Sequence, residues 1–482
     1  MTVTIDRRTD INLDTAYRVA WQGENVVLSP LALARVDECR RSFLSLVESD
    51  PSMFVYGVTT GFNAAAKTQL DGASRDRQAQ RKPFASAVLF GDPLPERVVR
   101  TIVLSKLTTF VEGHAAVTPE LAKAVAAMLD GRALPEVPAD NNDAAGQINM
   151  MTHAFYDLFN DYDLQAKESN ALLNGTSSIT CVLADSAISS SRRLALAVRV
   201  FALSIEAFQA PLEHYDVALA RLWGGEHEIA AAEALNMYFG VTDGDRRTYQ
   251  APVSFRAMPR VLARVFRAVA EVEKAAEESL AGPVDNPIYL PPDADYPLGR
   301  LLHNSGFHNA ISYSVLDELA ACWADLCLAG ERQTSKMQDG PISRLPHWLT
   351  TGDIEGPLRY LAQIQVGYVE RARRAAQRTF IPGSESGGFG QSDFKTPTQT
   401  AWLAECEAGR CLDASLAMLA VTAMHALDVT ERQVPPSLTD FAADMRKYVP
   451  KITEIRMLGP ELGRLTESFT NGIYNAEGPR QP

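Results

Sequence analysis

No CxxC pair occurs among the six cysteines (39, 181, 322, 327, 406 and 411). That removes the usual zinc and dithiol readings and leaves reduced core thiols of a cytosolic protein. Basic residues are in deficit: 46 Lys and Arg against 59 Asp and Glu give a net charge of −13, with the signs interspersed. Nucleic acid and anionic lipid both require a basic face, so neither is expected as a partner. Residues 1–20 carry Asp6, Arg7, Arg8 and Asp10 where a secretory signal would be apolar. The uncharged run Ala414–Leu427 has 14 residues, short of the roughly 18 that a membrane helix needs. A metal site is not expected, because His303 and His308 are five apart with no third ligand at helical spacing. Residues 385–390 are glycine-rich but lack the Lys-Ser/Thr of a phosphate loop, and read as an active-site loop.

What is present is the composition of a large globular core, 46% apolar over 482 residues. Residues 176–210 contain neither glycine nor proline, and Leu194, Ala197, Val198, Phe201, Ile205 and Phe208 fall at helical spacing. Residues 260–281, 307–329 and 410–434 share that lack and are rich in Ala, Leu and Glu. Helices this long suit one extended bundle, and Ala-rich faces on more than one side suit an oligomer. No alternation of strands and helices points to a parallel sheet. Residues 1–175 are broken by turns such as Asp50-Pro51 and Gly91-Asp92-Pro93 into shorter pieces. The expected architecture is all-α: a loop-rich N-terminal domain over 1–175, where chemistry is expected on the loops, and a long-helix oligomerisation domain over 176–482.

The strongest motif is Val55-Tyr56-Gly57-Val58-Thr59-Thr60-Gly61-Phe62, followed about a hundred residues later by Ala171-Leu172-Leu173-Asn174-Gly175-Thr176-Ser177 and a long helix. Together they resemble the histidine, phenylalanine and tyrosine ammonia-lyases, whose all-α fold is of the fumarase/aspartase-like type. Other matches keep that family's order: Asp10-Ile11-Asn12-Leu13 resembles the opening strand, and Ser254-Phe255-Arg256 with Pro259 the segment whose arginine holds the substrate carboxylate. Asp285-Asn286-Pro287, His303 and Glu331-Arg332-Gln333 follow, and Gln391-Ser392-Asp393 resembles the late loop near the substrate ring.

The departures concern the cofactor. In that family an Ala-Ser-Gly tripeptide cyclises to methylidene-imidazolone, whose exocyclic methylidene forms when the serine hydroxyl leaves as water. The corresponding residues here are Ala144, Ala145 and Gly146, and no Ala-Ser-Gly occurs elsewhere. Alanine has no hydroxyl to lose, so no cofactor is expected. The neighbours change as well: Gln147-Ile148-Asn149-Met150 replaces the usual Asp-Leu-x-Pro, Val253 a tyrosine, and Ser392 an acid. Lys82-Pro83-Phe84 stands where ring selectivity lies. A site altered at several corners is not a single crystallographer's substitution.

The resemblance implies roles for the survivors. Tyr56 is the base; Asn174, Asp393 and Lys395 are further catalytic candidates; Arg256 matches a carboxylate with its fork. Gly57, Lys82, Phe84, Tyr360, Gln363 and Gln391 are candidates for the substrate pocket, although Tyr360 and Gln363 lie on a stripe that also suits plain core. Without the electrophile, the favoured reaction is anti-elimination of a good leaving group from a small carboxylate-bearing, amino-acid-derived substrate. A betaine such as ergothioneine is of this kind, although Ser392 removes the acid expected to face its imidazole. A Michael-type cyclase or isomerase of specialised metabolism and a catalytically silent scaffold are the alternatives. The family also implies a homotetramer whose active sites draw on three chains.

Overall fold

Local chemistry starts the helices where the sequence allows. Ser29 Oγ accepts from the Ala32 amide at 3.0 Å, and Pro30 occupies the first turn of the helix Pro30–Ser49. Thr118 does the same for Pro119–Ala127 through the Leu121 amide at 3.1 Å. In this computed structural model the described residues are 1–140, 147–240, 246–247, 250–352, 354–381 and 393–474, without the side chains of residues 63 and 64.

The architecture is all-α. The long helices are Ser177–Phe208, Met258–Ala281, Ala310–Gln338 and Thr398–Val429. The third and fourth contain Gly330 and Gly409, where windows free of glycine break off. Gly409 is tolerated because the space is taken: a Cβ there would lie 2.6 Å from Cζ of Arg193. Arg193 is fully buried and is paired through Nε to Asp413 at 2.9 Å, since a buried charge persists only with a partner. Thr398–Val429 is long and apolar enough to cross a membrane, yet 89% of its most apolar window is buried inside the protein, as in a core helix.

Strands are few among the described residues. Thr2–Ile5 pairs in parallel with Asn25–Leu28, and Ile288–Leu290 pairs antiparallel with Arg300–Leu302. The opening strand is therefore Thr2–Ile5, and Asp10–Leu13 is not one. Asn12 instead caps the helix Leu13–Ala16, accepting from the Thr15 amide at 2.9 Å, a competing use of a short amide side chain.

The chain divides into two compact units, each assembled from separate stretches. The first comprises 1–188, 272–316 and 379–402; the second 189–271, 317–378 and 403–482. All six cysteines are free and buried.

Candidate active site

The Tyr56 segment is a tight turn folded back on one carbonyl. The amides of Val58, Thr59 and Thr60 all point to the Val55 oxygen, at 2.9, 2.9 and 3.2 Å. Thr59 Oγ1 closes the other side, accepting from the Val55 amide at 2.7 Å and donating to the Met53 carbonyl at 2.5 Å. Gly57 has φ +72°, and a Cβ there would sit 2.3 Å from Asn170 Nδ2 and 2.6 Å from a Phe62 ring carbon. Only glycine meets both demands. Tyr56 is half-buried, its ring packed edge-on against Phe62 at 5.5 Å.

Two side chains hold the Tyr56 backbone. Asn170 Nδ2 donates to its carbonyl at 2.9 Å, and its amide donates to His303 Nε2 at 3.2 Å. That second bond requires a neutral ring with a free lone pair on Nε2. Desolvation, and after it the charge of Lys167, lower the His303 pKa and favour that form.

Asn170 belongs to the short helix Glu168–Leu173, whose ends are pinned by buried polar groups. Lys167 precedes it and donates to Asp285 Oδ2 at 2.5 Å. Asn174 follows it: its side-chain amide donates to the Asn286 carbonyl at 2.8 Å, and its own carbonyl accepts from Lys106 Nζ. Asp285-Asn286 is thus the strap across this helix. Lys106 is fully buried, and burial pushes its pKa down to about 8, with Asp285 opposing and Lys167 adding to the shift. Lys167 is paired with the Asp285 carboxylate, while Lys106 Nζ is held by the Asn174 carbonyl.

The helix Ile148–Ala154 packs on that short helix, on Glu96–Val111 and on the Phe84–Ser86 turn. Phe84 stacks on Tyr156 at 4.8 Å. Lys82 Nζ is engaged by the carbonyl and Oδ1 of Asn160 at 2.8 and 3.1 Å, so it fastens a loop. Gln147, ahead of the helix, is 2% exposed with φ +47°, and neither end of its amide has a partner among the described residues. Each unmade bond costs about 1–3 kcal/mol, and the left-handed backbone of a non-glycine residue adds a cost of order 1–3 kcal/mol. Ala144, Ala145 and Gly146 lie outside the described residues, as do Gln391 and Ser392.

At the end of the late loop, Asp393 is exposed and Lys395 half-buried, and neither makes an ion pair among the described residues. Phe394 between them stacks on His308 at 4.8 Å, and His308 Nε2 is buried without a partner among the described residues.

The second unit carries Arg256, at the end of the turn Val253–Arg256. Phe255 anchors it, stacked on Phe208 at 4.0 Å with its carbonyl accepting from the Tyr215 hydroxyl at 3.1 Å. Gln333 links the Ser254 carbonyl to Ser204 Oγ, both at 2.7 Å, which explains the glutamine of Glu331-Arg332-Gln333. Arg256 Nη1 donates to Gln250 Oε1, and the guanidinium has no carboxylate partner among the described residues. Tyr360 is 56% exposed and Gln363 is also exposed. Their stripe on Leu361–Ala375 is surface of the single chain and not core, because that helix turns Leu361, Gln365, Val369 and Ala372 inward.

Sequence reading named neither Asn170 nor Lys106 and gave His308 no role. Asn170 was visible only as a residue one helical turn before Asn174. Lys106, amid a run of apolar residues, reads as an interruption of a core helix until its acceptor is seen.

The sequence profile of the aromatic amino acid lyase family matches residues 11–161 and 156–447. The histidine ammonia-lyase of Deinococcus radiodurans is 25% identical over 498 residues, spanning 96% of this chain and 93% of that protein. The histidine ammonia-lyase of Bacillus subtilis is 23% identical, spanning 96% of each. Among solved structures, the ergothioneine-degrading ergothionase of Treponema denticola is similar with a TM-score of 0.86 at 17% identity, covering 98% of this chain and 99% of that one. Tyrosine aminomutase of Streptomyces globisporus gives 0.85 at 20% identity, with 98% of each covered.

Proposed function

We propose a cofactor-independent elimination for this chain, which belongs to the aromatic amino acid lyase family but has Ala145 where that family's cofactor-forming tripeptide carries serine. Ala145 is the observation that carries the reading. A methyl group has no hydroxyl to lose, so these residues do not fit a methylidene-imidazolone.

The substrate then brings its own leaving group. Tyr56, as phenolate, takes the proton from Cβ. The C–H electron pair becomes the Cα–Cβ π bond, and the Cα–N bond breaks with its pair going to a quaternary nitrogen, which departs as a neutral tertiary amine. A phenol's ordinary pKa of about 10 must fall by about 2–3 units for this, or about 3–4 kcal/mol. The support available includes the buried cations Lys106 and Lys167 at the ends of the helix that holds the Tyr56 backbone. Arg256, without a carboxylate of its own, takes the substrate carboxylate bidentately. Asn174 supports the site by holding Asn286, and Asp393 and Lys395 stand ready as polar groups of the late loop.

The test uses trimethylammonium betaines of aromatic amino acids. The purified chain should release trimethylamine and an ultraviolet-absorbing enoate in equal amounts, with an intact mass equal to the unmodified sequence. A mass two waters short, or deamination of free amino acids with betaines untouched, would overturn the reading.

The functional unit in this reading is a homotetramer, with Tyr56 and Arg256 of one site supplied by different chains. Exposed Tyr360, Ile364 and Val366 on one helix support it. Light scattering should give four times the chain mass of 52.6 kDa, and an active monomer would contradict it.

A further inference from the structure

A cavity of about 810 Å³ lies within the second unit, lined by residues of the long helix Ser177–Phe208 and of the helices Thr439–Arg446 and Gly459–Tyr474. That volume is in the range of small-molecule sites, roughly 300–1,000 Å³. None of the residues assigned to the reaction lines it. Arg199 does, and it is half-buried. Its Nε donates to the Tyr238 hydroxyl at 3.2 Å, while Nη1 and Nη2 have no partner among the described residues. Tyr238 is itself held, its carbonyl accepting from Ser437 Oγ at 3.1 Å. The guanidinium is therefore anchored through one nitrogen and keeps its other donors for an acceptor that the described residues do not supply.

The same cavity carries the opposite charge. Asp440 and Asp444 line it one helical turn apart on Thr439–Arg446, a spacing at which like charges repel. Lys447 pairs with Asp444 at 2.6 Å, but Asp440 has no cationic partner among the described residues, and no ion pair joins either aspartate to Arg199. Phe441 and Phe469 complete the lining with an apolar surface, their rings stacked at 6.0 Å and 17°. Charges that only meet water need no aromatic floor beside them. Unpaired charges of both signs around one are the complement of a molecule with a carboxylate, an ammonium and an apolar body.

We infer that this cavity is a second binding site, separate from the reaction site, for a small zwitterion with an apolar body: a free apolar amino acid or a short apolar peptide. Its carboxylate lies on the Arg199 fork, its ammonium at Asp440, and its apolar part against Phe441 and Phe469. The site does not depend on the elimination reading, because it shares no residue with that chemistry.

The probes are L-leucine and L-leucyl-L-leucine, titrated calorimetrically into the full-length protein. Saturable binding is expected, and the tighter of the two tells whether free amino acid or peptide is the source. Acetylating the amine of that ligand removes its positive charge, and amidating its carboxylate removes the negative one. Each change should weaken binding by at least about 10-fold, as for a lost charge-assisted pair. Arg199→Met should erase the penalty for amidation, and Asp440→Asn the penalty for acetylation, whereas Arg256→Lys should alter neither. Asp440 is exposed, so Asp440→Asn serves if Arg199→Met fails to fold. The inference is overturned if neither probe binds saturably at millimolar concentration, or if capped and uncapped ligands bind alike. Capping penalties that persist in the Arg199 and Asp440 variants overturn it too. So does binding lost in Arg256→Lys, which would put the ligand in the reaction site.

Discussion

Asn170 donates its side-chain amide to the Tyr56 carbonyl at 2.9 Å, joining the proposed base to a helix whose ends are fixed by Lys167–Asp285 and by Asn174–Asn286. The position of the phenol is thus set by groups more than a hundred residues away in sequence. The turn supplies the sharp reversal, and the distant helix supplies the register.

Gly57 is the point where the two meet. Gly57→Ala places a methyl 2.3 Å from Asn170 Nδ2 at φ +72°, so the turn and the Asn170 bond cannot both persist. Turnover should fall by at least about 10²-fold, the contribution of a positioned base. Unfolding free energy should drop by about 1–3 kcal/mol for the strained backbone. Denaturant titration and steady-state rates read the two effects separately. Full activity in Gly57→Ala would show that the Asn170 contact does not set the phenol's position.

His303 gives the site an acid-side weakness. Its pKa is lowered from 6.5 by desolvation and the Lys167 charge, and the neutral ring accepts from the Tyr56 amide. The unfolded chain binds the proton first as pH falls, so this contribution is complete above about pH 6.5 and is lost as pH drops through the lowered folded value. Melting temperatures between about pH 7 and pH 5 should fall less steeply in His303→Gln, which cannot titrate. Identical slopes would remove His303 from the site.

Much of the fold was legible because long helices write a 3.6-residue pattern into the sequence, and Leu194, Ala197, Val198, Phe201, Ile205 and Phe208 keep it. Boundaries were less so. Gly330 and Gly409 looked like ends, but both sit within helices, Gly409 where Arg193 needs the room. At the site, Tyr56, Gly57 and Asn174 were readable from two short motifs. Asn170, His308 and Lys106 were not, since their meaning lies in partners brought near only by folding. Tyr360 and Gln363 show the converse: a helical stripe reads the same whether it is buried or, as here, exposed.

The most direct measurement compares Tyr56→Phe with the parent chain, following enoate formation from an aromatic amino acid betaine over a range of concentrations. The substitution keeps the edge-on packing against Phe62 and removes the oxygen assigned to take the proton. The kcat should fall by at least about 10²-fold with KM little changed, whereas Arg256→Lys should raise KM through loss of the bidentate fork. A Tyr56→Phe chain that forms enoate at the parent rate would contradict the assignment of Tyr56 as the base.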